Sequence, residues 1–414
     1  MEVLKIATAG SVDDGKSTLI GRLLYDTQSL TSDKIEAIEK SSRKNGLDYL
    51  DFSLATDGLV AEREQGITID VAHIYFSTKN KSYIIADTPG HVEYTRNMVT
   101  GASTSQASII LIDARKGVIE QTFRHFFINN LLRVKEVIVA VNKMDLVNYS
   151  EAIFNEIVSD IKELQSKSEF KEQHLTFIPV SALWGENIAE KSKAMPWHQG
   201  NTILEHLEQV SSENFEEQAQ ARFSVQTVIR PKTEEHRDFR GYAGKITGGS
   251  LKVGDKVTVL PSLTSSVIRE IHFFDEQFEE APAGSSVTIT LEDDINVARG
   301  DMLVKSNEIP QQSKTLNATI CWMDGKALSP GNKYLLQHNT NEILARIDKI
   351  ETHIATDYAA VNASSVLEMN EIGKVSILLS KSIFSDSYAS NKANGRFILI
   401  DTQTNTTAGV GFIN

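Results

Sequence analysis

Two glycines, a lysine and a hydroxyl residue near the start of the chain have the spacing of a phosphate-binding loop. The pattern is G-x-x-x-x-G-K-[ST], in which the glycines let successive backbone N–H groups turn towards phosphate oxygens. Lys16 adds a cation for the β- and γ-phosphates, and Ser17 offers a hydroxyl to Mg²⁺. An apolar run before the loop and an amphipathic run after it predict the strand, loop and helix that such a site requires. The predicted phosphate contacts are Gly10, Ser11, Val12, Asp13, Asp14, Gly15, Lys16, Ser17 and Thr18.

A second polar run, which follows a short apolar segment, consists of Asp87, Thr88, Pro89, Gly90 and His91. Asp87 would hold Mg²⁺ through water, and the backbone N–H of Gly90 would approach a γ-phosphate. His91 would orient the attacking water, although a surface histidine beside a turn is the alternative. Thr68 is the candidate for a second hydroxyl on Mg²⁺, but taken alone it is more typical of an ordinary β-branched strand residue. The candidate catalytic residues are therefore Lys16, Thr68 and His91, and the candidate Mg²⁺ ligands are Ser17, Thr68 and Asp87.

A third run has the residue types that select a base, and it consists of Asn142, Lys143, Met144 and Asp145. Asp145 can accept hydrogen bonds from N1–H and the exocyclic amine of guanine, whereas adenine has neither donor. A site built on this pairing rejects the wrong base by a factor on the order of 10⁴ or more. Lys143 would lay its alkyl stem on the base, and Asn142 would tie this run to the phosphate-binding loop.

A weaker signal of the same site is the run Ser181, Ala182 and Leu183, which follows an apolar segment at 175–180. The backbone N–H of Ala182 would donate to O6 of guanine. Three residues form a weak pattern, and these gain weight only from their place after the other three runs.

The order of apolar and amphipathic segments predicts an α/β domain with a mostly parallel, doubly wound sheet in the first half of the chain. Residues 26–66 interrupt this alternation with a long, charged and poorly periodic segment, which we expect to be a functional loop. The chain becomes polar and acidic at 211–221, and short alternating strands with glycine turns follow, so we expect two small β-barrels. The predicted domains are a P-loop GTPase domain at 1–215 and β-barrels at 220–306 and 312–414.

The composition is ordinary for a globular protein, with 414 residues of which 41% are hydrophobic and 23% are charged. A net charge of −13 disfavours broad, non-specific binding of nucleic acid. The single cysteine, Cys321, cannot form an intrachain disulfide, which fits a reducing compartment. No apolar run approaches the length of a membrane span. We therefore expect a cytoplasmic protein with neither a membrane nor a nucleic acid as its partner.

The four nucleotide signals, in this order and each after a strand, resemble the GTPase superfamily of the translation-factor type. The resemblance implies GTP and Mg²⁺ as cofactors, and it covers the whole chain, since this type carries two β-barrels after its GTPase domain. It also implies that residues 26–66 with Thr68 form a first switch and that Asp87–Arg96 form a second. Both switches would be held by the γ-phosphate and Mg²⁺ and released on hydrolysis.

Longer stretches are similar to the GTPase subunits of bacterial sulfate adenylyltransferases. They are Gly10–Leu24, Thr56–Ala72, Asp87–Ala102, Ile110–Gly117, Val139–Val147, Met195–Trp197, Phe239–Ile246, Leu367–Lys374 and Gly395–Ile413. This resemblance implies a heteromeric nucleotidyltransferase that uses GTP hydrolysis to drive ATP and sulfate to adenylyl sulfate and pyrophosphate. The chain contains neither an H-x-G-H nor an S-G-G-x-D-S motif. Adenylyl transfer is therefore expected on a smaller, ATP-binding partner subunit, in a heterodimer or a higher assembly.

The alternative is a translation elongation factor that carries aminoacyl-tRNA, because its GTPase domain and barrels would look much the same. Net acidity weighs only slightly against this alternative. A tRNA carrier would retain charged tRNA when it is loaded with GTP, whereas a sulfate adenylyltransferase subunit would form no such complex.

Overall fold

Buried apolar strands form a six-stranded sheet in the first half of the chain. The structure, a computed structural model, describes residues 2–44, 46–55, 71–89, 95–211, 219–231, 239–274, 276–356 and 365–414. The chain divides into two compact units, Met1–Glu213 with Ala355–Ala359 and Asn214–Ile354 with Ala360–Asn414. The strands of the first unit are β1 (Glu2–Ala9), β2 (Ala72–Ser77), β3 (Lys81–Asp87), β4 (Ala107–Asp113), β5 (Glu136–Asn142) and β6 (His174–Pro179).

The strand order of this sheet is β2-β3-β1-β4-β5-β6, with β2 antiparallel to β3 and all other neighbours parallel. Parallel strands place their carboxyl ends at one edge of a sheet, which is where ligands bind in folds of this class. Asp87, Asp113 and Asn142 are the last residues of β3, β4 and β5. The register pairs Asp87 with Thr8 of β1 and pairs Asp113 with Asn142. The described residues of the predicted site runs therefore converge at this edge.

Helix α1 packs on the sheet because it presents an apolar stripe to it. Helix α1 buries Leu19, Ile20 and Leu23 in the same cluster as Leu4 and Ile6 of β1. Among the helices in the described ranges, none is both long and apolar enough to cross a membrane. The helices are α1 (Lys16–Asp26), α2 (Ser32–Lys44), α3 (Thr95–Ala102), α4 (Glu120–Leu131), α5 (Glu151–Lys167) and α6 (Ile203–Gln209).

Helix α2 lies within residues 26–66, which the sequence predicted to be a loop, and for these residues the prediction was wrong. The helix buries only Ile38 and Ser42. Charged and polar residues far outnumber its apolar ones, so its sequence resembles that of a charged loop. Charged side chains one turn apart support it instead, at 3.6 Å between Glu36 and Lys40 and 3.8 Å between Glu39 and Arg43.

The second unit contains two closed β-barrels, so the predicted α/β domain followed by two barrels is confirmed. The domain limits 1–215, 220–306 and 312–414 stay predictions. The strands of the first barrel and its extensions are β7 (Arg222–Ile229), β8 (Gly241–Thr247), β9 (Ser250–Lys252), β10 (Lys256–Leu260), β11 (Thr264–Phe273), β12 (Glu276–Phe278), β13 (Glu280–Pro282), β14 (Ser286–Leu291) and β15 (Met302–Lys305). The strands of the second barrel are β16 (Gln311–Trp322), β17 (Lys333–His338), β18 (Asn341–Ile354), β19 (Ile372–Ser385), β20 (Arg396–Ile400) and β21 (Thr407–Ile413).

The first barrel closes in the order β10-β15-β7-β8-β14-β11, because β10 also pairs with β11, and β12 is added beyond β11. The second barrel closes in the order β16-β19-β18-β17-β20-β21. Alternate residues of each strand point inwards and fill the barrel. The interiors hold large apolar side chains such as Phe223 and Tyr242 in the first barrel and Trp322 and Phe397 in the second.

A buried ion pair joins the two barrels. Arg222, at the start of β7, is 0% exposed, and its Nε and Nη2 atoms lie 2.9 and 3.0 Å from the two carboxylate oxygens of Asp386. Asn394 Nδ2 donates to Oδ2 of the same carboxylate at 2.7 Å. A bidentate pair with a further hydrogen bond has the geometry in which Coulomb attraction offsets the cost of desolvation. An apolar cluster of Leu260, Met302, Val304 and Phe384 also spans the two barrels.

Replacing Arg222 by alanine should loosen the barrels strongly, because the Asp386 carboxylate would remain buried without its cation. We expect the free energy of opening to fall by about 3–5 kcal/mol, as measured by amide hydrogen exchange in β7 and β16 of the full chain. Lys252→Ala is the control, since it removes an exposed pair with Glu280 at 3.0 Å and should cost no more than about 1 kcal/mol. Equally small losses in both variants would show that the buried pair does not hold the barrels.

Candidate nucleotide-binding site

The phosphate-binding loop connects β1 to α1, and close contacts determine its shape. Gly15 has a φ of 93°, in the left-handed region that favours glycine. A Cβ at this position would collide with the side-chain amide of Asn142. Asp14 closes the turn, since its Oδ2 accepts from the Ser11 N–H at 2.8 Å and its own N–H donates to Ser11 O at 3.1 Å. Contacts within the loop and from Asn142 thus hold its backbone in place.

Lys116, which follows β4, supports the loop from a neighbouring strand end. Its Nζ lies 3.4 Å from Asp14 Oδ1 and 3.3 Å from the carbonyl oxygen of Val12. Burial raises the pKa of Asp14, while the Ser11 N–H and Lys116 act in the opposite direction. Sequence reasoning missed this role of Lys116. The position of Lys116 just after an apolar strand could have indicated this role, because parallel strands end at a common edge of the sheet.

The predicted phosphate lysine and the predicted Mg²⁺ carboxylate are in direct contact. Lys16 Nζ donates to Asp87 Oδ1, and the two residues are only 7% and 3% exposed. Thr8 Oγ1 donates to the same oxygen at 3.1 Å, and Thr88 Oγ1 donates to Thr8 O at 2.6 Å. The end of β3 is therefore fastened to β1, and Asp87 points at the start of α1. Ser17 and Thr18 lie half-buried in the first turn of that helix.

Asn142 connects the phosphate-binding loop to the segment after β6. Its Nδ2 donates to Asp14 O at 2.7 Å, and its Oδ1 accepts from the Ala182 N–H at 2.9 Å. Lys143, next in the chain, donates from Nζ to Asp13 O. The N–H that we predicted to reach guanine O6 thus has Asn142 as its acceptor in this structure. Its donation to O6 stays a prediction.

The carboxylate of Asp145 is oriented by the segment after β6. Ser181 Oγ donates to Asp145 Oδ1 at 2.6 Å, and the Met144 N–H donates to Val180 O at 3.2 Å. Ser181 and Ala182 are buried, whereas Leu183 and Asp145 are partly exposed. A fixed carboxylate at the edge of the sheet, beside an alkyl stem from Lys143, is an arrangement that can pair with two donors of a planar base.

Comparisons with known proteins agree with this geometry. Residues 1–238 match the family described as elongation factor Tu GTP binding domain, and residues 315–414 match the GTP-eEF1A C-terminal domain-like family. Sulfate adenylyltransferase subunit 1 of Bacteroides fragilis is 46% identical over 100% of this chain and 86% of its own length. The subunit 1 of Colwellia psychrerythraea is 45% identical over 100% and 88%. The bifunctional enzyme CysN/CysC of Mycobacterium tuberculosis is 44% identical over 99% and 67%.

The chain belongs to the sulfate adenylyltransferase subunit 1 family. The family resemblance predicted from the sequence is thereby confirmed. Three predicted site residues of this family member, Thr68, Gly90 and His91, lie outside the residues that the structure describes. Their roles stay predictions.

Asp113 also belongs to the site, and it was not among the residues predicted from the sequence. Its Oδ2 lies 3.1 Å from Lys143 Nζ and 2.6 Å from Arg115 Nη2. Burial raises the pKa of Asp113, but the hydrogen bonds from Arg115 and Lys143 outweigh it and lower the pKa to about 2. The Asp113 carboxylate therefore stays charged and positions Lys143 beside the segment that is predicted to bind the base.

Asp113→Asn should destabilise the GTPase domain in a pH-dependent way. Because the folded-state pKa of about 2 is below the usual 3.8, the carboxylate contributes its full stabilisation above about pH 4 and loses it as the pH falls towards 2. The difference in Tm between the wild-type and variant proteins should be largest near pH 7 and should narrow between pH 4 and pH 3. A difference that does not change with pH would contradict the pairing of Asp113 with Arg115 and Lys143.

Proposed function

We propose that this chain binds and hydrolyses GTP as the GTPase subunit of a heteromeric sulfate adenylyltransferase. Hydrolysis would drive the conversion of ATP and sulfate to adenylyl sulfate and pyrophosphate on a smaller, ATP-binding partner subunit. The observation that carries the proposal is the link through Asn142, which holds the phosphate-binding loop and the Asp145–Ser181 pair in one site. The name "subunit 1" of the full-length relatives supports a second subunit.

Guanine is the base that the donors and acceptors of this site favour. Ser181 Oγ donates one hydrogen bond to Asp145 Oδ1. The carboxylate has further lone pairs, so it can still accept from the N1–H and the exocyclic amine of guanine. Adenine has no donor at either position, so with adenine the partly buried carboxylate would keep the hydrogen bond from Ser181 and gain none from the base. Lys143, held by Asp113 and Asp13 O, would cover the face of the base with its stem.

Phosphate binding would use the loop N–H groups, Lys16 and the start of α1. Lys16 would exchange its contact with Asp87 for a phosphate oxygen. Ser17, Thr68 and Asp87 would hold Mg²⁺, which neutralises charge on the phosphate oxygens. In the described ranges, no three His, Cys, Asp or Glu side chains cluster to hold a metal. A hydroxyl and a buried carboxylate beside a phosphate loop fit a cation that keeps water and phosphate among its ligands.

The coupling to sulfate activation has a chemical reason. The bond between phosphate and sulfate in adenylyl sulfate is a reactive anhydride, so its formation from ATP and sulfate is strongly uphill and requires a second source of free energy. GTP hydrolysis supplies it if the two reactions are linked through the switch segments. The contact between Asp87 and Lys16 supports such a link, since Asp87 lies three residues before Gly90 in the chain.

Asp145→Asn should change the preferred nucleotide from GTP to XTP. The amide can donate to the 2-oxo group of xanthine, whereas it cannot accept both guanine donors. Titrations of the variant with GTP and XTP measure this preference directly. Asp160→Asn, an exposed change on α5, is the matched control and should keep the preference for GTP. An Asp145→Asn variant that still prefers GTP would show that the base is read elsewhere.

His91→Ala should slow GTP hydrolysis by roughly 10² or more and leave GTP affinity within about twofold, because the side chain would orient the attacking water. Single-turnover hydrolysis and nucleotide titration separate the two effects. His73→Ala, which alters an exposed histidine on β2 of the same domain, serves as the control with normal hydrolysis. Unchanged turnover in the His91 variant would return this residue to the surface-histidine alternative.

Coupling is tested with the second subunit recovered together with this chain. GTP hydrolysis by the complex should rise when ATP and sulfate are both present, and neither compound alone should produce the full rise. Indifference to ATP and sulfate would contradict the proposed function. Stimulation by ribosomes, with retention of aminoacyl-tRNA, would favour the translation-factor alternative.

A further inference from the structure

The hairpin formed by β11 and β12 carries three exposed phenylalanines in mutual contact, and we call it the phenylalanine hairpin. Phe273, Phe274 and Phe278 are 45%, 88% and 41% exposed. The ring of Phe273 lies 4.8 Å from that of Phe274 and 6.4 Å from that of Phe278, between centroids. In the described sheet β12 is a terminal strand added beyond the closed barrel. Clustered exposed aromatic rings are typical of interaction sites, whereas single exposed apolar residues are not.

Local folding preferences do not explain the aromatic residue at the tip. Phe273 pairs with Glu276 across the hairpin turn, and Phe274, directly after β11, has a φ of 52°. Such turns favour Gly, Asn and Asp, because a bulky side chain is unfavourable in the left-handed region. At 88% exposure Phe274 gains almost no burial in return. A residue that breaks a local preference without a gain inside the folded chain indicates a role in binding.

The charges around these rings are acidic. Glu276 and Glu279 are exposed and lie on either side of Phe278 in the chain. The polar contacts of the neighbouring glutamates are local: Glu270 shares a hydrogen bond with His272 at 3.0 Å, and Glu280 forms an ion pair with Lys252 at 3.0 Å. An acidic, aromatic surface repels phosphate backbones and anionic lipid headgroups. It is complementary to a protein surface with an apolar pocket and a basic rim.

We infer that the phenylalanine hairpin is the docking site for the second subunit of the sulfate adenylyltransferase, which inserts the aromatic rings into an apolar pocket rimmed by lysine or arginine. The inference rests on the proposed function, which requires such a subunit. A second copy of this chain is the less favourable occupant, because its net charge of −13 would place an acidic hairpin against an acidic protein. Aromatic anchors in a pocket carry much of the affinity in interfaces of this kind.

The test compares two aspartate substitutions in the full-length chain. Phe274→Asp removes the most exposed ring and introduces a residue that the turn accepts, so folding should be preserved. Leu263→Asp is the matched control, because Leu263 is also apolar, is 57% exposed and has a φ of 59°. It precedes β11 at the opposite end from Phe274, about 30 Å away along the strand. Affinity for the purified second subunit is measured by calorimetry, and GTP affinity is measured for each variant.

We expect Phe274→Asp to weaken binding of the second subunit by at least about tenfold, with GTP affinity unchanged. Leu263→Asp should bind the second subunit within about twofold of wild type. Wild-type affinity in Phe274→Asp, or the same loss in Leu263→Asp, would overturn the docking site and leave the proposed function standing.

Two further outcomes concern the identity of the partner. If the wild-type chain does not associate with the second subunit, the proposed function fails and the docking site fails with it. Loss of self-association in Phe274→Asp, with binding of the second subunit intact, would assign the hairpin to a second copy of the chain and overturn the inference.

Discussion

The side-chain amide of Asn142 is the contact on which the nucleotide site depends. It bonds to Asp14 O and to the Ala182 N–H, two groups that are far apart in the chain. Both bonds are possible because the parallel strands β1, β4, β5 and β6 end at one edge of the sheet, so the end of β5 is close to the segment after β6 and within reach of the loop after β1. One amide thus holds the phosphate-binding and base-binding segments at a set distance from each other, as a ligand with a phosphate at one end and a base at the other requires.

Opposite charges are balanced within the described part of this site. Lys16 contacts Asp87, and Lys143 contacts Asp113, each as a largely buried pair. Without these carboxylates, the positive charges of Lys16 and Lys143 would repel each other in a poorly solvated environment. The two carboxylates therefore stabilise these lysines in the folded protein, and in the proposed function a phosphate oxygen replaces Asp87 at Lys16. In the proposed function this competition makes Asp87 the residue that responds to the nucleotide.

The second unit contrasts with the nucleotide site, because its polar contacts serve packing. The buried Arg222–Asp386 pair and the apolar cluster around Leu260 join the two barrels into one body. Side chains inside the barrels follow the alternation that a strand imposes. The phenylalanine hairpin departs from this rule, since Phe274 is apolar, exposed and in a left-handed turn. A stable barrel can carry such a segment, because Phe274 follows the end of β11 and β12 is added beyond the closed barrel.

Much of this protein could be predicted from the sequence. Strands β4 and β5 are continuous apolar runs, and the residues after them carry chemistry, so the α/β class and the residues from Gly10 to Lys16 and from Asn142 to Asp145 were recognisable. Hydrophobic period and motif spacing are local properties of the chain, which is why they can be read from it. The polar helix α2 escaped prediction, because its few apolar residues are outnumbered by charged ones, some of which pair one turn apart.

Only the tertiary structure decided which groups meet across strands. The contacts of Asp113 with Lys143 and of Arg222 with Asp386 join residues from different elements. Neither contact leaves a pattern in the sequence, since strand order, register and burial determine it and each of these depends on the whole fold. The sequence by itself therefore determined which chemistry the chain can perform and on what kind of nucleotide. The packing of the strands decided which side chains hold that chemistry in place.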